Sequence, residues 1–83
     1  MKEELKKIED IITKPMTDLG IIVSNVDFVT ENNYRFLKII LDKESGLDLD
    51  AIVEATKIIN PLIDEYDLVS GEYILDISSK ERG

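Results

Sequence analysis

The side chains that could do chemistry in this 83-residue chain are few, and most are carboxylates. Asp42, Glu44, Asp48 and Asp50 lie close together and bring to mind a calcium loop. An EF-hand needs oxygen ligands at alternate positions, a glycine at the sixth and a bidentate glutamate at the twelfth, and this spacing does not supply them. A polar connector ending in a helix cap, with Asp48 as the cap, explains the four better. Ser78-Ser79 offers two hydroxyls, but a serine nucleophile needs a base and the chain has no histidine. There is no cysteine, hence no disulfide framework and no thiolate. Neither a P-loop nor a dinucleotide-binding glycine pattern occurs. The inventory predicts a binding module without catalytic, cofactor or metal residues and without a small-molecule substrate.

Charge narrows the kind of partner. Ten Lys and Arg against eighteen Asp and Glu give a net charge of −8. Proteins that hold nucleic acid through its phosphates carry a basic patch, whereas the cations here are scattered. An acidic surface suits a basic protein partner and speeds the encounter with it. The only grouping that suggests RNA is Tyr34, Arg35 and Lys38, an aromatic beside two cations, and this defines the alternative of a direct RNA-binding module. A small acidic interaction or dimerisation domain is a further alternative. No apolar run is long enough for a membrane span and no signal-peptide pattern opens the chain, so a cytoplasmic domain that does not engage membranes is expected.

The elements that must position these groups follow from periodicity. With 43% hydrophobic residues in periodic segments, the composition is that of a folded domain despite 34% charged residues. Residues 2–19 read as an amphipathic helix with Leu5, Ile8, Ile12, Met16 and Leu19 on one face. Pro15 within it removes a backbone bond, and Gly20 is a natural left-handed stop. Residues 21–29 and 34–42 read as a β-hairpin turning at Glu31-Asn32-Asn33. Ile22, Val26 and Phe28 form one buried row and Leu37, Ile39 and Leu41 the other, with Phe36, Lys38, Ile40 and Asp42 facing away. A second helix, capped by Asp48, carries Ile52, Thr56, Ile59, Ile63 and Tyr66, and Pro61 is expected to kink it or end it near Asn60. Residues 71–79 close the chain as a strand whose row Tyr73, Leu75 and Ile77 faces the helices. The expected architecture is an α+β two-layer sandwich of order α-β-β-α-β, a three-stranded sheet with two helices on one face. The crossover makes the third strand parallel to the second, while its place beside the second or the first stays open.

The series Leu19-Gly20, Val26-Asp27-Phe28, Leu37-Lys38-Ile39-Ile40-Leu41-Asp42-Lys43, Gly46-Leu47-Asp48-Leu49-Asp50 and Tyr73-Ile74-Leu75-Asp76-Ile77-Ser78-Ser79 resembles the N-terminal domain of the ribosome maturation factor RimP. The resemblance runs from about Leu5 to Ser79. It implies a non-catalytic assembly factor that binds the small (30S) ribosomal subunit during its maturation, through a basic ribosomal protein and adjacent rRNA. Asp27, Asp42, Lys43, Asp76, Ser78, Ser79 and Lys80, in or directly after those motifs, are the expected partner-contacting positions. Family members continue after the serine pair with Pro-Gly and a hinge into a small β-barrel domain. Here Lys80-Glu81-Arg82-Gly83 follows Ser79, so the expectation is one domain over residues 1–83 without the C-terminal barrel.

Overall fold

The computed structural model describes residues 2–80. Helix α1 spans Lys2–Asp18, strand β1 Ile22–Glu31, strand β2 Tyr34–Asp42, helix α2 Leu49–Tyr66 and strand β3 Ile74–Ser79. The sheet order is β1-β2-β3, with β2 antiparallel to β1 and parallel to β3. The question left open by the sequence is thereby answered: the third strand lies beside the second. Both helices cover one face, α1 packed on β1, α2 on β3, and the helices on each other. The predicted two-layer α+β sandwich is the observed one.

Helix α1 runs through Pro15 and buries Ile8, Ile12 and Met16, with Leu5 and Leu19 packed beside them. Its end is a Schellman motif: Ile21 N–H donates to Met16 O at 2.8 Å and Gly20 N–H to Thr17 O at 2.9 Å. Gly20 holds φ +75 there, a conformation that side chains with a Cβ adopt at a cost. Helix α2 starts where Asp48 Oδ1 accepts from Ala51 N–H at 2.8 Å. It also runs through its proline, Pro61, and stops only where Asp67 turns left-handed and its N–H donates to Ile63 O. The expected early end at Asn60 does not occur. Pro61 costs α2 one backbone bond, and the burial of Ala55 and Ile59 before it and Ile63 after it offsets that loss. Tyr66, expected in the apolar stripe, is exposed because the stripe ends at Ile63, one turn earlier. Asp48→Ala is expected to cost about 1 kcal/mol through the lost cap and to lower the midpoint by roughly 4–8 °C, read by thermal circular dichroism.

The hairpin differs from expectation in two ways. β1 extends to Glu31, so the turn is the two residues Asn32 and Asn33, at φ 52 and 67, the geometry whose twist matches paired strands. At the other end a β-bulge interrupts the register: Val23 pairs with Leu41 and Asn25 with Ile40, leaving Ser24 as the extra residue. One inserted residue reverses which face every earlier side chain takes. Val23 therefore joins Val26 and Phe28 on the helix side, and Ile22, expected in the core, is 56% exposed opposite Asp42.

The core is centred on β2. Leu37, Ile39 and Leu41 have no accessible surface and lie between Phe28, Val26 and Val23 on one side and Leu75, Ile77 and Ser79 on the other. Ile8, Ile12, Met16, Ala55, Ile59 and Ile63 close over them. β3 begins three residues later than expected, at Ile74, because Gly71 at φ +83 still turns the chain. Tyr73, Leu75 and Ile77 nonetheless pack against the core as predicted.

Candidate interaction surface

Because both helices lie on one face, the pleat leaves the other face of the sheet without a covering layer. The register lays its side chains out in rows. Glu31 stands opposite Tyr34; Val29, Phe36 and Ile74 follow; then Asp27, Lys38 and Asp76; then Asn25, Ile40 and Ser78; and finally Ile22 and Asp42. One row, Val29, Phe36 and Ile74, is wholly apolar, and the others are charged or mixed. Val29, Phe36 and Ile40 are half-buried by their neighbours, while Ile22, Tyr34 and Ile74 are exposed. An apolar row of Val29, Phe36 and Ile74 beside the charged row of Asp27, Lys38 and Asp76 gives the mixed apolar and polar composition of a protein-interaction surface.

Its charge is one-sided. Among the described residues of the face stand the acids Asp27, Glu31, Asp42 and Asp76 and the one cation Lys38, whose Nζ lies 3.6 Å from Glu31 Oε1. Both partners of that pair are well exposed, so it is worth no more than about 1 kcal/mol. Two of the aspartates also serve the backbone. Asp27 Oδ1 accepts from Phe28 N–H at 2.8 Å, and Asp42 Oδ1 from Lys43 N–H at 2.8 Å. The first bond satisfies a donor of the outer strand β1 within its own side chain, and a satisfied edge recruits fewer stray strands.

Of the seven positions expected to contact a partner, the fold brings Asp27, Asp42, Asp76 and Ser78 to this face. Ser79 pairs with Leu41 and so has the opposite parity. Lys43 and Lys80 follow the C-terminal ends of the parallel strands β2 and β3, which places them at one end of the sheet rather than on its face. The N–H of Lys80 donates to Leu41 O at 2.7 Å, continuing the ladder. Glu81, Arg82 and Gly83, where the chain departs from the RimP pattern, lie outside the described residues. Glu31 and Ile74 belong to the face and were not among the expected contacts, whereas Phe36 and Ile40 were already expected on the outer face. The alternation in β2 announces Phe36, but the place of Glu31 depends on the length of β1 and that of Ile74 on the position of β3.

The trio that suggested RNA is divided. Tyr34 and Lys38 lie on the open face, and Arg35 turns to the helix side. There its guanidinium carbon sits 5.4 Å from the centre of the Phe28 ring, and Nη1 donates to Ser70 O at 2.6 Å. The guanidinium pins the segment that leads into β3, and Gly71 makes room for it: a Cβ there would lie 3.2 Å from Nη1. Near that segment Tyr73 has its phenol pushed above the usual range, first by burial and then by the charge of Asp64. Asp42, Glu44, Asp48 and Asp50 do not converge; among the described residues no three carboxylates are placed to hold a metal ion. No described helix is long and apolar enough to cross a membrane.

An α-β-β-α-β sandwich built on a buried central strand thus carries the motifs in the order noted above. The family model of the RimP N-terminal domain matches residues 11–80, the span from the middle of α1 to the residue after β3, and the chain belongs to that family of ribosome maturation factors.

Proposed function

We propose that this domain is a non-catalytic assembly module of the cytoplasm that binds the small ribosomal subunit during its maturation, through a basic ribosomal protein with rRNA nearby. Family membership supports the ribosomal role. The observation that carries the choice of partner is the open sheet face, where among the described residues four carboxylates share the surface with one lysine and an apolar row of Val29, Phe36 and Ile74. Phosphate is repelled by such a surface, and a cationic polypeptide with apolar side chains is attracted to it. A second copy of the same face is disfavoured, since like charges would meet. In this reading Asp27, Asp42, Asp76 and Ser78 contact the partner directly, and Lys43, Ser79 and Lys80 flank it at the end of the sheet.

The test is co-sedimentation of the purified domain with free small or large subunits at low ionic strength. Binding to the small subunit alone, weakened as salt is raised, is the expected result. Equal binding to both subunits, or none to either, would overturn the reading.

A further inference from the structure

The pairing of β2 with β3 begins at Phe36 and Ile74, so Tyr34 and Arg35 run on past the start of β3 with no strand beside them on that side. A cleft of about 440 Å³ opens there, lined by Asn33, Tyr34, Arg35, Glu72, Tyr73 and Ile74. It falls within the roughly 300–1,000 Å³ of ordinary ligand pockets. Tyr34 and Ile74 belong to the open face as well, so the cleft is continuous with that surface.

Its chemistry selects among occupants. Two tyrosines offer π faces, and Glu72 brings a carboxylate. Glu31 stands opposite Tyr34 in the register, and the charge of Asp64 is felt at Tyr73. The one cation in the lining, Arg35, is fixed by the Ser70 carbonyl and the Phe28 ring; its charge balances that of Glu72, so the negative bias of the cleft comes from Glu31 and Asp64 beside it. Aromatic rings with carboxylates favour a cation, and a planar guanidinium most, because it can stack on a ring while donating two parallel hydrogen bonds to a carboxylate. A nucleotide base would also stack on the tyrosines, but its phosphates would meet Glu31, Glu72 and Asp64.

We infer that this cleft is an anchoring subsite for an arginine side chain of a basic polypeptide laid across the open sheet face. The inference rests on the function proposed above and assigns the end at which that partner is anchored.

A short end-capped peptide alternating arginine and leucine serves as the probe, with a lysine-leucine version and an oligouridylate for comparison. Titration followed by amide chemical shifts should move Tyr34 and Glu72–Ile74, with the arginine peptide binding several-fold tighter than the lysine one. Glu72→Gln and Tyr34→Ala should each weaken it about three- to tenfold, while Glu54→Gln on α2 leaves it unchanged. Both cleft residues are exposed, so thermal melts should stay near wild type and separate lost binding from lost fold. Shifts confined to the helices, equal binding by all variants, or oligouridylate binding in place of the peptide would overturn the subsite. Co-sedimentation of the same variants separates the two proposals. Small-subunit binding by a domain whose cleft ignores the peptide overturns the subsite alone. Cleft binding of the peptide without subunit binding overturns the assembly role alone.

Discussion

Ile39→Ala is expected to remove a large share of the stability of this domain. Ile39 lies in the middle of the central strand with no accessible surface, between Val26 and Ile77 and beneath two helices. Truncating such a side chain costs the transfer of its methyl groups and the cavity left behind, about 2–5 kcal/mol together. A domain is stable by roughly 0.05–0.15 kcal/mol per residue, about 4–12 kcal/mol for a chain of this length, so the loss is a large share of the total. Ile39→Val, which removes one methyl group, should cost only about 0.5–1.5 kcal/mol. Ile74→Ala, at a position 45% exposed on the other face, should cost less than Ile39→Ala by several-fold. Urea unfolding at constant m value measures all three. Equal losses for Ile39→Ala and Ile74→Ala would mean that β2 is not the centre of the core.

The second large effect concerns binding. Reversing Asp27 and Asp76 together to lysine would replace the row Asp-Lys-Asp, which crosses all three strands, by three cations. Like charges brought together at an interface cost several kcal/mol, so affinity for the small subunit should fall more than tenfold. The fold should survive, because Asp27 is exposed and Asp76 only partly covered. The loss of the Asp27 bond to the Phe28 N–H is expected to cost about 1 kcal/mol. Glu54→Lys with Glu65→Lys makes the same change in net charge on exposed positions of α2. If that control weakens binding equally, the long-range field of the domain governs the association and the sheet face is not the contact. Circular dichroism verifies folding in both variants.

These two results probe parts of the molecule that differ in how legible they are from residues alone. Periodicity depends on steric and solvation rules that act within a few residues, and it identified both helices, the hairpin and the row Leu37, Ile39 and Leu41. The start of α2 and the end of α1 were legible for the same reason, since Asp48 and Gly20 act through bonds to residues three to five positions away. The early end of α2 near Asn60 was over-read: the helix continues through Pro61 to Tyr66, because packing of the apolar stripe offsets one missing backbone bond. Ile22 was misplaced because a bulge is a property of two strands, and the shift between Val23 and Asn25 exists only relative to Leu41 and Ile40.

The candidate surface was legible only in part. Asp27, Asp42, Asp76 and Ser78 could be named as polar positions within ordered motifs, but nothing local stated that they share a face. That follows from parity across three strands and from β3 lying beside β2 rather than β1. The cleft was not legible at all, since it arises where β2 outruns β3, and the start of β3 is set by the turn at Gly71 and the Arg35 contacts to the segment before it.

What the sequence by itself determined is the set of elements, their buried stripes and the family, all of which depend on order and spacing along one chain. Tertiary structure alone decided the strand order, the side of the sheet on which Ile22 lies, the gathering of carboxylates with Lys38 on the open face and the opening between Tyr34 and Tyr73. Each of these is a relation between segments distant in sequence, created when hydrophobic burial brings them together, and so has no counterpart in any single stretch of residues.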